Sequence, residues 1–329
     1  MGSARWFRLG IGLLLVIVPL WALLGRLDAI WSGHPAYPTT LLVAVGIGLT
    51  LIAFVFLPWR LEQEPDGLPW EVDDRPTPAP ARSRHWGWRL TGRIVLAVLV
   101  IALVGVLAWM RPFPASPEAV AAMNGNAAVT IIDNPTTIEL RPITSVTPTV
   151  GLVFSPGATV DSRAYLELLL PAAAAGNVVI ILKEPFGLAV AQPGQSGGAI
   201  ADHPEIENWA VGGHSLGGTA AALFAGDNLA TVRGLMLWAS YPSNDLSTAS
   251  ALQVLSVSGS NDLLSTPAAV DASRQKLPPM TTFVQIAGGV HASFGDYGEQ
   301  PGDGRPGIDR AIASAQISAA TVAFLGRLR

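Results

Sequence analysis

The 329 residues carry a formal charge of −4, with 50% hydrophobic and only 13% charged, which excludes a disordered chain and points to a membrane. Residues 1–111 hold ten Arg and seven Asp or Glu, whereas 112–329 hold ten Arg or Lys and seventeen acids. The acidic second part would repel phosphate backbones, so nucleic acid is set aside as a partner, and the absence of cysteine removes disulfides, thiol catalysis and thiolate metal sites.

Three uncharged apolar runs come first, at 9–25, 39–57 and 94–110, the outer two bounded by Arg8 and Arg26 and by Arg93 and Arg111. Seventeen helical residues reach about 25 Å, close to the thickness of the hydrocarbon core, and the flanking arginines can snorkel to the interfaces. Trp6, Trp21, Trp31, Trp59, Trp88 and Trp109 cluster near the ends of the runs, as an interfacial aromatic belt would place them. The competing reading is a buried core helix for each run, or a cleaved signal peptide for the first, but no A-x-A site follows it. The loop 58–93 carries Arg60, Arg75, Arg82, Arg84, Arg89 and Arg93, against Arg26 alone between the first two runs. This imbalance predicts a multi-pass protein in the cell membrane, with a cytoplasmic N-terminus and loop and everything after residue 110 on the far side. Six acids and five prolines between 62 and 80 make that loop a solvated connector.

Residues 112–127 read as a linker rich in Pro, Ala and Asn. From 128 to the end, strands are expected at 128–133, 136–141, 149–155, 177–183, 208–213, 232–239, 253–258 and 281–287, and helices at 162–175, 216–226, 267–276 and 308–327. Most of the later strands, such as NVVIILK and GLMLWA, are continuous apolar runs, which a sheet covered on both faces requires. The pattern predicts one α/β domain with a mostly parallel eight-stranded sheet and helices on both faces.

The most informative stretch is Trp209 to Thr219, WAVGGHSLGGT, where an apolar strand runs into Gly213-His214-Ser215-Leu216-Gly217 and then an Ala-rich helix. A serine on so tight a turn adopts a strained backbone, and the flanking glycines remove Cβ atoms that would collide. Its hydroxyl then projects from the carboxyl end of the sheet, while the Leu216 N–H at the helix start can meet a developing oxyanion. Such a serine needs a base and an orienting carboxylate further along the chain. The strand at 253–258 leads to Asp262 and that at 281–287 to His291, in the order Ser215, Asp262, His291. His34 and His85 belong to the membrane part, His203 precedes the nucleophile strand and His214 lies within the turn, so only His291 has the required place. A turn aspartate is the competing reading of Asp262, with Asp245 and Asp296 as its rivals for the acid. A second oxyanion donor is expected from Ala158 in Phe154-Ser155-Pro156-Gly157-Ala158, against the reading of a plain Pro-Gly turn.

These residues resemble the α/β-hydrolase superfamily, and within it the compact single-domain type near dienelactone hydrolases. The resemblance covers roughly 128–329 and is carried by FSPGATVDSRAY, GNVVIILKEPF, GGHSLGG, LSVSGSNDLLSTP and GGVHASFGDYG. It implies a serine hydrolase acting through an acyl-enzyme on an ester, thioester or amide, with no metal or cofactor. By position, Ser215 would be nucleophile, His291 general base and then acid, Asp262 its orienting carboxylate, and Leu216 and Ala158 the oxyanion donors. Dienelactone hydrolases use a cysteine nucleophile, which this chain lacks, so their substrate does not transfer. Only about thirteen residues separate the strands ending near Ala239 and starting near Gln253, where larger relatives insert a cap, so the site is expected to be open.

Phe186, Tyr241 and Phe294 are candidates for the rim of an acyl pocket, with ordinary packing as the competing reading of each. The leading expectation is a membrane-anchored esterase-like hydrolase whose partners are the lipid bilayer and a small or surface-bound acyl substrate. The runner-up is a hydrolase-like binding or scaffold module, and peptidase or acyltransferase chemistry on the same triad is a third reading.

Overall fold

The computed structural model describes residues 3–57 and 86–329; the connector expected at 58–93 lies outside these up to residue 85, with Trp59, Arg60, Arg75, Arg82 and Arg84. The chain divides into two compact units, one of Met1–Gly25 with Thr39–Trp109 and one of Arg26–Pro38 with Met110–Arg329.

The first unit holds α1 (Ser3–Leu24), most of α3 (Ala36–Phe56) and α4 (Trp86–Trp109). Over Ser3–Leu24, Ala36–Phe56 and Gly87–Trp109, each is long and apolar enough to cross a membrane. All begin earlier than the apolar runs suggest, because polar turns such as Ser3-Ala4-Arg5 continue a helix into an interface. Two glycines let α1 and α3 touch: a Cβ on Gly12 would stand 2.9 Å from the Gly48 carbonyl, and one on Gly48 2.7 Å from that of Gly12. Small residues at such crossings allow the close backbone approach on which helix association in lipid depends.

The second unit begins with α2 (Leu27–Ser32), between the two first apolar helices, and resumes after α4 with the short α5 (Pro117–Ala121). Then follow β1 (Val129–Asp133), β2 (Thr137–Pro142), β3 (Val150–Ser155), α6 (Leu166–Ala174), β4 (Val178–Leu182), α7 (Gln195–Ala201), β5 (Asn208–His214) and α8 (Leu216–Asp227). The order ends with β6 (Val232–Trp238), β7 (Gln253–Gly259), α9 (Pro267–Ala272), β8 (Thr282–Ile286) and α10 (Arg310–Gly326). The eight strands form one sheet in the order β1-β2-β4-β3-β5-β6-β7-β8. β2 is antiparallel to β1 and β4, and every pairing from β4 through β8 is parallel.

Side chains alternate between two cores across the sheet. Leu152 and Phe154 of β3 point to the face covered by α6 and α10, with Tyr165, Trp238 and Phe324. Val153 points to the other, with Val211, Leu235 and Ala221, Ala222 and Ala225 of α8. Burial on both faces is the reason the central strands read as continuous apolar runs.

All eight expected strands and the four expected helices are present, with two helices shortened. The run expected at 162–175 opens with a 3-10 turn at Ser162–Tyr165, and that at 267–276 closes with one at Ser273–Lys276. α7 was not expected, since QSGGAIA has no apolar periodicity. The stretch 112–127 is not a loose tether. Phe113 forms a parallel bridge with Val160, its N–H donating to the Thr159 carbonyl at 2.8 Å, and Ala119 of α5 is fully buried. Burying Ala119 and partly burying Phe113 outweighs the irregular backbone that proline imposes there.

Candidate active site

The carboxyl ends of β3 to β8 carry every polar group of the site. At the end of β5, Ser215 has φ 53° and ψ −123°, a combination that costs a non-glycine residue on the order of 1–3 kcal/mol. Close packing over-determines it. A Cβ on Gly213 would lie 2.5 Å from the Ser155 carbonyl oxygen, and one on Gly217 only 2.2 Å from it. The turn therefore closes against the end of β3 only with glycine at both positions. The Ser215 N–H donates to the Trp238 carbonyl at 3.0 Å, and the Ser240 hydroxyl donates to the Ser215 carbonyl at 2.7 Å, so β6 grips the same turn.

Asp262 follows β7 and is completely buried. One carboxylate oxygen accepts the backbone N–H groups of Leu264 and Ser265, both at 2.8 Å, and the other meets His291 Nδ1 at 2.9 Å. An ionised carboxylate only accepts, so Nδ1 carries the proton and Nε2 is left as the basic nitrogen. The His291 loop is stitched down by Asp303, whose oxygens accept from His291 N at 3.1 Å and Ala292 N at 2.8 Å. The His291 ring centroid stands 4.6 Å from that of His214, the residue before Ser215, which sets the imidazole beside the turn. Among the described residues Ser215 makes no side-chain hydrogen bond to His291, a contact often long until substrate binds. The rivals are elsewhere: Asp245 is exposed and accepts from Ser247 N, and Asp296 pairs with Arg310.

After β3 the chain turns through Gly157 and Ala158. The Gly157 N–H donates to the Tyr165 hydroxyl at 2.8 Å, and the Thr159 N–H to the Gly187 carbonyl at 2.8 Å. Among the described residues neither the Ala158 nor the Leu216 N–H has an acceptor. Thr159 at φ 56° and Phe186 at φ 58° are both left-handed, so strain extends along this rim. The Tyr165 oxygen accepts from Gly157, and its own proton points to His214 Nδ1 at 3.0 Å. Burial pushes the Tyr165 hydroxyl far above its ordinary range and His214 well below its own, so both stay neutral. Gly157, Tyr165 and His214 thus tie the loop after β3 to the turn bearing Ser215.

Of the three rim candidates, Phe186 lines a cavity beside this loop, and Tyr241 is exposed after β6. Phe294 is corrected: it is completely buried, with its ring 6.0 Å from His214 and 6.4 Å from Trp238, so it belongs to the core. An aromatic three residues beyond His291 fits a rim or a core equally well until the 3-10 turn at His291–Phe294 sends it inward. The short β6 to β7 connection holds no cap helix, as its length indicates. Tyr165 and Asp303 were not singled out from sequence, because nothing local marks a tyrosine that reaches the loop eight residues before it or an aspartate that caps a loop twelve residues before it.

The profile of the alpha/beta hydrolase family matches residues 151–314, spanning β3, the turn at Ser215, Asp262 and His291. The chain belongs to the α/β-hydrolase superfamily. Solved structures similar to this hydrolase include a dienelactone hydrolase-like promiscuous phosphotriesterase from metagenomic libraries, 17% identical with a TM-score of 0.44, over 61% of this chain and 99% of that one. A thermostable esterase from Pseudomonas putida ECU1011 is 16% identical with a TM-score of 0.47, over 64% of this chain and 88% of that one. No curated protein sequence matches this hydrolase.

Three variants test the geometry. Asp262→Asn should keep the fold and lower turnover of an aryl ester on the order of 10⁴-fold by reversing the His291 tautomer. Asp245→Asn should change it little, and the opposite ranking would move the orienting role to Asp245. Tyr165→Phe should lower kcat by about ten- to hundredfold with little change in KM, since an oxyanion donor commonly contributes more than that. An unchanged kcat would show that the loop after β3 needs no such tie.

Proposed function

We propose that this α/β-hydrolase is a membrane-anchored serine hydrolase that cleaves a carboxylic ester or related acyl bond through an acyl-enzyme. The observation that carries the reading is the strained, half-buried Ser215 at a strand-to-helix turn, beside an imidazole whose Nδ1 is held by the fully buried Asp262.

In this reading Ser215 Oγ attacks the acyl carbon as His291 Nε2 takes its proton. The negative charge that develops on the carbonyl oxygen meets the amides of Leu216 and Ala158. Leu216 N–H adds the positive end of α8, a twelve-residue helix. The imidazolium, stabilised by Asp262, gives the proton to the leaving alkoxide, and the acyl group stays on Ser215. Water, deprotonated by the same nitrogen, then attacks the acyl-enzyme and releases the acid. His214, neutral and 4.6 Å away, adds no charge to oppose the imidazolium.

The three apolar helices support the anchor, and the arginine-rich segment before the third supports a catalytic unit outside the cytoplasm. The packing of Arg26–Pro38 with Met110–Arg329 supports a two-crossing hairpin between them, because both ends of the hairpin must then emerge on one side, whichever side that is.

Labelling membranes with a fluorescent fluorophosphonate tests the chemistry without knowledge of the substrate. Wild type should label and Ser215→Ala should not, with ester turnover falling on the order of 10⁵ to 10⁶. A folded wild type that takes no label would favour a binding module. For the orientation, protease added to intact cells should digest the catalytic unit; protection in intact cells with digestion in broken ones would reverse the topology.

A further inference from the structure

The segment between the first two apolar helices does more than connect them. Ala29 and Ile30 of α2 are 4% and 2% exposed, and α2 packs as part of the catalytic unit. An ionic clasp adds to this burial, with the Asp28 side chain itself 77% exposed. The Asp28 carboxylate meets Arg163 Nη2 at 2.6 Å, and Arg163, itself buried, is fixed by Asp161 through both Nε and Nη2. Because Asp161 and Arg163 follow the loop that carries Ala158, the clasp fastens the segment to the element assigned to the oxyanion.

Between them lies a cavity of about 40 Å³. One wall is Ala29, Ile30 and Tyr37; the other is Pro156, Thr159 and Phe186, so the wall residues Pro156 and Thr159 bracket Ala158. Two charged side chains in its lining are ion-paired, Lys183 with Asp133 and Asp161 with Arg163. Burial pushes the Glu184 carboxyl up to about 8, so at neutral pH this wall is uncharged as well. A recess with no unpaired charge and with Ala29, Ile30, Pro156, Val160 and Phe186 in its lining, adjoining the oxyanion loop, suits aliphatic carbon rather than an ion. Its size limits the occupant, since an apolar cavity of roughly 150 Å³ takes one benzene ring.

We propose that α2 roofs a subsite for the aliphatic end of a short acyl group, so that a piece of the membrane hairpin sets the acyl-chain preference of the hydrolase. This rests on the hydrolase reading above. Chemistry at Ser215 is unchanged; the subsite decides which acyl chains reach it.

The test compares kcat/KM for p-nitrophenyl acetate, butyrate and hexanoate in the full-length membrane protein, so that only the acyl chain varies. Ile30→Ala removes three carbons from the roof and should raise the hexanoate to butyrate ratio at least about tenfold, the selectivity that a single methylene commonly carries. Ala29→Leu fills the recess from the same side and should lower the butyrate to acetate ratio by a similar factor. Ratios do not depend on the amount of folded enzyme, and the two variants move them through opposite changes of volume. If both variants keep the wild-type ratios within about twofold, the subsite is refuted while the hydrolase stands. A shift confined to alkyl acetates differing in the alcohol would place the leaving group in the recess and refute the acyl assignment. Failure of wild type both to hydrolyse any ester and to take the fluorophosphonate would instead overturn the hydrolase reading with it.

Discussion

The positive φ of Ser215 is the constraint on which the catalytic unit is arranged. An isolated chain would relax it, so neighbouring elements must hold it, and they do so mostly through backbone, with one side-chain hydroxyl from Ser240. Gly213 and Gly217 sit against the Ser155 carbonyl, the Ser215 N–H is taken by Trp238 and its carbonyl by Ser240. These contacts fix the carboxyl ends of β3, β5 and β6 and the amino end of α8 to one another. The loop that continues from Ser155 is thereby positioned relative to the serine before any side chain is considered. Tyr165 then refines the placement, bridging Gly157 and His214 from within the core.

Burial sorts the charges around this frame. Asp262 keeps its place at zero exposure because two backbone amides and one imidazole use its oxygens, so the cost of removing it from water is met by hydrogen bonds. His214, whose Nδ1 meets the Tyr165 hydroxyl, and Glu184 are neutral near pH 7 because burial disfavours their charged forms. Neutrality matters most for His214, since an imidazolium there, 4.6 Å from His291, would oppose the positive charge that the proposed general base must take up. One buried carboxylate thus orients the imidazole, and the neighbouring His214 is held neutral by burial.

What sequence shows and what it hides divide along the range of the interactions. Ser215 was legible because strand, turn and helix are consecutive, and Asp262 and His291 because each closes an apolar strand in the required order. The choice of Asp262 over Asp245 follows the same rule, but the hydrogen bond to Nδ1 that distinguishes them spans 29 residues. Phe294 was ambiguous because a single 3-10 turn decides whether its ring faces the rim or the core. The linker at 112–127 looked loose because proline and asparagine disfavour regular structure, yet Phe113 finds a strand partner at Val160, 47 residues on. Arg163 gave no signal at all, since its partner Asp28 lies 135 residues earlier, beyond a stretch that composition assigns to a different environment.

That last contact bears on where the catalytic unit begins. A boundary at residue 112 follows composition, but it would leave buried Arg163 with Asp161 alone and would strip Ala29 and Ile30 from the wall facing Phe186. The Asp28 side chain is 77% exposed, so its pair with Arg163 contributes modestly, and the burial of Ala29 and Ile30 does more to tie the segment to the unit. The geometry also constrains topology. Between residue 38 and residue 110 the chain runs through α3 and α4, and only an even number of crossings returns it to the side it left. Both helices must cross, or neither, for Arg26–Pro38 and Met110–Arg329 to pack as one unit, and runs this apolar favour the first case. That packing therefore supports two crossings between residues 38 and 110 and leaves the side of the membrane to the arginine count alone.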